Sequence, residues 1–253
     1  MKAVLYICHG SRVKEGCNQA IEFVRQTKTN VNIPIQEVCF LELAKPTIEE
    51  GVTRCVRQGA TDMIAIPVFL LAAGHVKHDI PAELNRLRNK FPFVRIHYGQ
   101  PFGVHEKIID ILLERMEEQL GEIQEDAAIL LVGRGSSDPD TLRDFQKITQ
   151  FFRYKTNFSD VNKCFLVAAT PSFNQALTQA LKRNSSQIII VPYLLFSGLL
   201  MKRMKKTIQS LETSQEIILC NYLGYHPLLQ QVLIERVQQV NETIEEVCIS
   251  RFG

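Results

Sequence analysis

No two cysteines in this chain are spaced as C-x-x-C. The seven present (Cys8, Cys17, Cys39, Cys55, Cys164, Cys220 and Cys248) are odd in number and widely scattered, which is the usage of a reduced compartment and not of a zinc ribbon or an iron–sulfur cluster. Cys8, beside His9, reads as a small buried strand residue facing away from its neighbour, with ligand or nucleophile as the alternative. No apolar stretch reaches the roughly 18 residues that a bilayer span needs. A secretory n-region and h-region are also missing, since Lys2 leads a short strand-like run straight into His9-Gly10. The chain is therefore expected in the cytoplasm, with no membrane partner. Charge of one sign is scarce as well: 29 Lys and Arg against 27 Asp and Glu leave a net +2, too little to suggest nucleic acid as a partner. Gly10-Ser11 and Gly135-Ser136 lack the G-x-S-x-G elbow, which disfavours a hydrolase.

What the chain does have is enough apolar material for a core. Its 253 residues are 45% hydrophobic and 22% charged, with room for one large or two medium domains. Strand-like runs at 3–8, 35–41, 62–71 and 94–98 alternate with helical patterns at about 12–28, 46–58, 79–90 and 104–119. Asp79 before Pro81 opens the third helix, and Ile108, Ile109, Ile111, Leu112 and Met116 form the apolar stripe of the fourth. This is βαβ repetition, which implies an α/β fold with a mostly parallel sheet and helices on both faces. The acidic segment Gly121-Glu122-Ile123-Gln124-Glu125-Asp126 interrupts the pattern and reads as a linker.

After that segment the pattern returns. Residues 3–11 align with 128–136 at a separation of 125, and the same separation pairs Cys39-Phe40-Leu41-Glu42 with Cys164-Phe165-Leu166-Val167 and Pro67-Val68-Phe69-Leu70 with Pro192-Tyr193-Leu194-Leu195. Further on it falls to 121, pairing Gly103-Val104-His105 with Gly224-Tyr225-His226 and Glu114-Arg115 with Glu235-Arg236. The chain is a tandem duplication of one α/β unit, and two lobes are expected: 1–121, carrying the site, and 122–253, a copy without it.

Duplication separates fold from function. Gly10 and Gly135, Pro46 and Pro171, and Pro67 and Pro192 occur in both halves and read as turn and strand-edge geometry. His9, Glu42 and His75 do not: the alignment puts Arg134, Val167 and Leu200 in their places. Each of the three follows a strand-like run, and ligands of open α/β sheets bind outside the carboxyl ends of the strands. Two imidazoles and a carboxylate suit a divalent first-row metal, with the carboxylate as ligand or base. They are not a helix-borne H-x-x-x-H motif, and one histidine at a strand end is ordinarily a satisfied structural residue. Three such residues lost together in the second half favour function. His78, His97, His105 and His226 keep the structural reading; His105 and His226 recur at a helix start and read as caps or packing. Arg12, Lys77, Arg134 and the run Lys202-Arg203-Met204-Lys205-Lys206 would line a cleft with positive charge for a ligand bearing several carboxylates. For the Lys202–Lys206 run a solvated helix face is the equal alternative. Ser11 and Ser136 either donate to an anion or cap helices, and Asp138-Pro139 reads as a cap followed by an N1 proline.

His9-Gly10-Ser11-Arg12, Phe40-Leu41-Glu42 with Pro46-Thr47-Ile48, residues His75 to Pro81, Gly133 to Asp140 and Pro192 to Gly198 together resemble the class II chelatases, in particular the bacillus-type sirohydrochlorin ferrochelatases, over nearly the whole chain. The resemblance implies two flavodoxin-like lobes around a cleft and insertion of Fe2+ into sirohydrochlorin to form siroheme. It also implies that no organic cofactor is used, that His9 and His75 handle the metal and that Glu42 assists; the chain itself is expected to be a monomer. Ser11, Arg12, Lys77, Arg134 and Ser136 would then hold the tetrapyrrole. The related anaerobic cobaltochelatases, with Co2+ as substrate, share the pattern. The chain ends at Arg251-Phe252-Gly253 without the histidine-rich tract or cluster-binding segment of some long members, which favours the siroheme branch. A tetrapyrrole or metal carrier without turnover is the alternative from another class, although a carrier needs no proton acceptor.

Overall fold

The computed structural model describes residues 1–119, 124, 126–156, 158, 160–183 and 185–249, with the side chains of 247–249 left aside. The linker expected at 121–126 falls mostly outside these residues, and so does the side chain of Cys248.

Strand β1 (Lys2–Cys8) is buried from Ala3 onward, as an apolar run without polar alternation must be when both faces of its sheet are covered. Strands β2 (Ile35–Phe40), β3 (Asp62–Pro67) and β4 (Arg95–Tyr98) join it in the order β2-β1-β3-β4. Every pairing is parallel, with Ile7 opposite Cys39 on one side and Pro67 on the other. Helices α1 (Lys14–Lys28), α2 (Ile48–Arg57) and α3 (Ile80–Lys90) make the crossovers. One face of the sheet (Ala3, Leu5, Ile7, Cys39, Met63, Ala65) forms a continuous core with Ile48, Val52 and Cys55 of α2 and Ile80, Leu84 and Leu87 of α3. A capping box explains where α2 starts: the Thr47 hydroxyl accepts from the Glu50 N–H, and the Glu50 carboxylate accepts from the Thr47 N–H.

The second repeat follows the same plan. Helix α4 (Glu106–Glu117) precedes strands β5 (Ala128–Gly133), β6 (Val161–Phe165), β7 (Gln187–Tyr193) and β8 (Glu216–Leu219), a parallel sheet in the order β6-β5-β7-β8. Helices α5 (Pro139–Thr156), α6 (Phe173–Lys182), α7 (Leu199–Gln209) and α8 (Pro227–Ile249) complete it. Asp138 caps α5 ahead of Pro139, its carboxylate accepting from the Asp140 N–H at 2.9 Å. Ser172 and Gln175 repeat the capping box on α6. The βαβ alternation and the parallel sheets read from the sequence are therefore both present.

Compactness does not follow the contiguous halves. One unit comprises Met1–Gly103 with Gln230–Gly253, and the other is Val104–Leu229. Helix α4, encoded by the first repeat, packs on α5 and β7 in the second unit. The first unit instead takes the last helix of the chain: Lys2 Nζ binds Asn241 at 2.8 Å and Glu245 at 2.7 Å, and Arg236 donates to the Pro101 and Phe102 carbonyls. The expected boundary at 121 thus separates repeats and not packed bodies, because an amphipathic stripe does not say which sheet it will cover.

Two local readings also change. Strand β3 ends at Pro67 and not at Leu71; Val68 is buried and Phe69 half-buried in a loop that follows. Asp79 does not open a helix. A π-helical turn, His75–Asp79, runs directly into α3, and Asp79 makes no capping bond.

Candidate metal-handling site

His9 is the first residue after β1, and its ring is held by its own loop: Nδ1 donates to the Gly10 carbonyl at 3.0 Å. Parallel pairing continues past the strand ends, with Leu41 N–H donating to Cys8 O at 2.8 Å and Glu42 N–H to His9 O at 3.1 Å. That register brings Glu42 Oε1 to 3.8 Å from His9 Nε2. Gly10 permits the approach. Its φ is +94°, and a Cβ there would fall 1.8 Å from the Glu42 carbonyl oxygen, so only glycine fits.

His75 arrives on the loop after β3. Val68 N–H donates to Ile7 O at 2.8 Å, the Phe69 and Leu70 carbonyls accept from Phe102 and Gly103, and Tyr98 Oη donates to Val76 O at 2.9 Å. Buried Val76 and Ile80 seat the π turn on the core. The His75 ring then stands edge-on to His9, centroids 5.0 Å apart at 85°, with Phe69 tilted against His9 at 5.9 Å. His75 Nδ1 lies 2.6 Å from Asp79 Oδ2.

His9, Glu42 and His75 each offer a ligand atom, all within 4.8 Å of one another. Two atoms bound to one first-row ion at about 2.1 Å sit at most about 4.2 Å apart, so the cluster is near ligating distance and slightly open. Its side chains are 39%, 44% and 36% exposed respectively, reachable from solvent. A carbonyl and a carboxylate accept only, so Nδ1 of each imidazole carries the hydrogen of its bond, which leaves Nε2 as the nitrogen available for a ligand. The thiol of Cys8 is buried and pushed up to about 12 by desolvation, which leaves it out of the ligand set.

Of the remaining candidates, Ser11, Arg12 and Lys77 belong to the first unit, and Arg134, Ser136 and the Lys202–Lys206 run to the second. Ser11 Oγ accepts from Val13 N–H and Ser136 Oγ from Asp138 N–H, each at 3.0 Å, so both hydroxyls serve turns. Arg12 is exposed on the His9 loop and Lys77 half-buried on the π turn. Arg134 and Ser136 belong to the second unit, where exposed Arg134 leans on the Gly135 carbonyl at 3.5 Å. In the Lys202–Lys206 run, Met204 is buried and the four cations are exposed on α7. His105 and His226 are caps, Nδ1 accepting from Lys107 and Leu228 N–H at 3.2 Å; His226 Nε2 also pairs with Glu114 at 2.7 Å. From the sequence, Asp79 was read as a helix start and Phe69 as a strand residue, and neither as part of the site. An i, i+4 His–Asp spacing was the available signal for Asp79.

The second repeat rebuilds this scaffold without the chemistry. Val167 N–H donates to Arg134 O at 2.9 Å, and a Cβ on Gly135 would again fall 1.8 Å from a carbonyl oxygen, that of Val167. Gly74 precedes the π turn as Gly198 precedes α7, a separation of 124. Leu199, and not Leu200, is therefore the counterpart of His75; one residue is missing from the preceding loop, which the constant separation of 125 overlooked.

The CbiX family model matches residues 3–119 and again 128–240. The chain belongs to the CbiX family. Within it, the sirohydrochlorin ferrochelatase of Priestia megaterium is 49% identical over 94% of this chain and 90% of its own length. The sirohydrochlorin cobaltochelatase of the same organism is 38% identical over 94% of this chain and 80% of its own. SirB from Bacillus subtilis with Fe3+ superposes with a TM-score of 0.88 at 39% identity, covering 97% of both chains. The CbiX fold, two α/β lobes with parallel sheets, is thus the fold of this chain.

Proposed function

We propose that this protein is a sirohydrochlorin ferrochelatase, which inserts Fe2+ into sirohydrochlorin to give siroheme and two protons. One observation carries the reading: His9, Glu42 and His75 form an open, solvent-reachable cluster within 4.8 Å, in a chain 49% identical to a protein of that name. Insertion exchanges the waters of a hydrated cation for four ring nitrogens while two pyrrolic N–H protons leave. A ligand set short of four protein atoms holds the ion without trapping it. The Nε2 atoms of His9 and His75 take the metal or the departing protons, imidazole nitrogen being both a metal ligand and a proton acceptor. Glu42, 3.8 Å from His9 Nε2, relays protons onward. Arg12, Lys77 and Arg134 supply cations for the carboxylates of the ring, with Ser11 and Ser136 donating hydroxyl hydrogen bonds. The protein acts as a cytoplasmic monomer and uses no organic cofactor.

Co2+ is the second reading, favoured by the 38% identity to a cobaltochelatase, and two imidazoles with one carboxylate do not discriminate strongly between the metals. The test follows the absorbance of sirohydrochlorin with catalytic amounts of protein, under anaerobic Fe2+ and separately under Co2+. Turnover with Fe2+ is expected in the wild type and none above background in His75→Ala, with the circular dichroism of the two alike. Full activity in His75→Ala would remove the proposed site; stoichiometric binding without turnover would make the protein a carrier.

A further inference from the structure

Asp79 is drawn up against His75 by a bond that serves no evident purpose in folding. The Nδ1 to Oδ2 distance is 2.6 Å, short for a nitrogen–oxygen bond and typical of a charged acceptor. Both side chains are well solvated, His75 at 36% and Asp79 at 57% exposure, and ion pairs of that kind contribute little to stability. Asp79 does not cap α3 either, because the helical backbone already runs through it from the π turn and its carboxylate makes no capping bond.

The duplication supplies a second, independent observation. In the frame set by Gly74 and Gly198, His75 corresponds to Leu199 and Asp79 to Arg203. Helix α7 begins at Leu199 as ordinary α-helix, without the π turn. The repeat that lost the imidazole therefore also lost the carboxylate beside it, while buried Val76 and Ile80 kept apolar counterparts in Leu200 and Met204. Residues that serve packing persisted in type, and the His–Asp pair disappeared as a pair.

We propose that Asp79 is a positioning residue: accepting from Nδ1–H, it fixes the tautomer and rotation of the His75 ring so that the Nε2 lone pair faces the His9 and Glu42 ligand atoms. This rests on the chelatase reading for its purpose but not for its test. A carboxylate accepts only, which holds the proton on Nδ1 and makes the imidazole a better donor through Nε2. Without it the half-exposed ring is free to rotate and to carry its proton on Nε2, and that nitrogen then neither ligates nor accepts.

The test compares wild type with Asp79→Asn, Asp79→Ala and Asp79→Glu by two readouts that need no tetrapyrrole. Nitrogen-15 NMR at about pH 8, where an ordinary imidazole is neutral, reports the His75 tautomer, and titration with Co2+ reports affinity. Expected is the Nδ1–H tautomer in wild type, a shift toward Nε2–H in Asp79→Asn and Asp79→Ala, and Co2+ affinity 10- to 100-fold weaker, with partial recovery in Asp79→Glu and unchanged thermal unfolding. The maximal insertion rate should fall more than the apparent affinity for sirohydrochlorin. An unaltered tautomer and unaltered Co2+ affinity in Asp79→Asn and Asp79→Ala would overturn the assignment. A wild type inactive with both metals would instead overturn the chelatase reading, while the NMR and Co2+ results still decide the role of Asp79.

Discussion

Gly10 shows how one residue can serve both stability and chemistry. An alanine there must adopt a left-handed backbone, at roughly 1–2 kcal/mol, and must also push its Cβ away from the Glu42 carbonyl it would meet at 1.8 Å. Gly10→Ala is expected to lose about 3 kcal/mol in urea denaturation, with insertion slowed as well because the His9 and Glu42 loops separate. Gly135→Ala faces the same clash with Val167 and should lose similar stability, but leaves His9, Glu42 and His75 where they are. Equal losses of Fe2+ insertion per folded molecule in the two variants would contradict this division. His9, Glu42 and His75 were legible in the sequence because a parallel sheet collects its strand ends on one edge, and because a second copy showed which polar residues the fold can do without. Asp79 was not legible. A residue before proline at a helix start has an ordinary explanation as a cap, and only the continuous π turn removes it.

At the scale of elements, strand and helix exchange volume between the repeats. Cys8 on β1 and Ala20 on α1 correspond to Gly133 on β5 and Phe145 on α5, all buried. A Cβ on Gly133 would meet the Phe145 ring at 2.9 to 3.2 Å. The ring also lies 5.2 Å from Phe165 and 5.5 Å from Tyr193, which limits its retreat. Overpacking of this kind costs about 1–3 kcal/mol, so Gly133→Ala should lower the urea midpoint accordingly, and Gly133→Ala with Phe145→Leu should recover part of the loss. Strict additivity in that double-mutant cycle would mean the two positions do not share the space. The strand and helix order could be read from apolar runs and capping residues such as Thr47 and Ser172. The end of β3 could not, since Val68 to Leu71 are as apolar as a strand while forming the loop that carries His75.

For the whole molecule, the repeat boundary and the packing boundary are different things. Residues 1–121 make a complete repeat by sequence, yet α4 packs on α5 and β7 in the second unit. Residues from Gln230 onward complete the first unit, with Val240 close enough to lie 3.0 Å from a Cβ on Gly99 and Arg236 satisfying two carbonyls before Gly103. The sequence does not carry this exchange, because the stripe of Ile108, Ile109, Ile111, Leu112 and Met116 would fit either sheet. Residues 1–121 expressed alone therefore keep β1 to β4 and α1 to α3 but leave the α8 side of the first unit uncovered and α4 without its partners. Each uncovered large apolar side chain forfeits about 1.5–3 kcal/mol, against a total stability of about 5–15 kcal/mol for a domain. A monomeric fragment should therefore not fold. Analytical ultracentrifugation is expected to find either a dimer, in which each copy lends α4 to the other, or aggregate. Adding residues 227–253 in trans should compete with that dimer by restoring the missing helix. A monomeric fragment with a cooperative thermal transition would show that α4 can fold back onto its own sheet, and that the exchange is not required for either unit to fold.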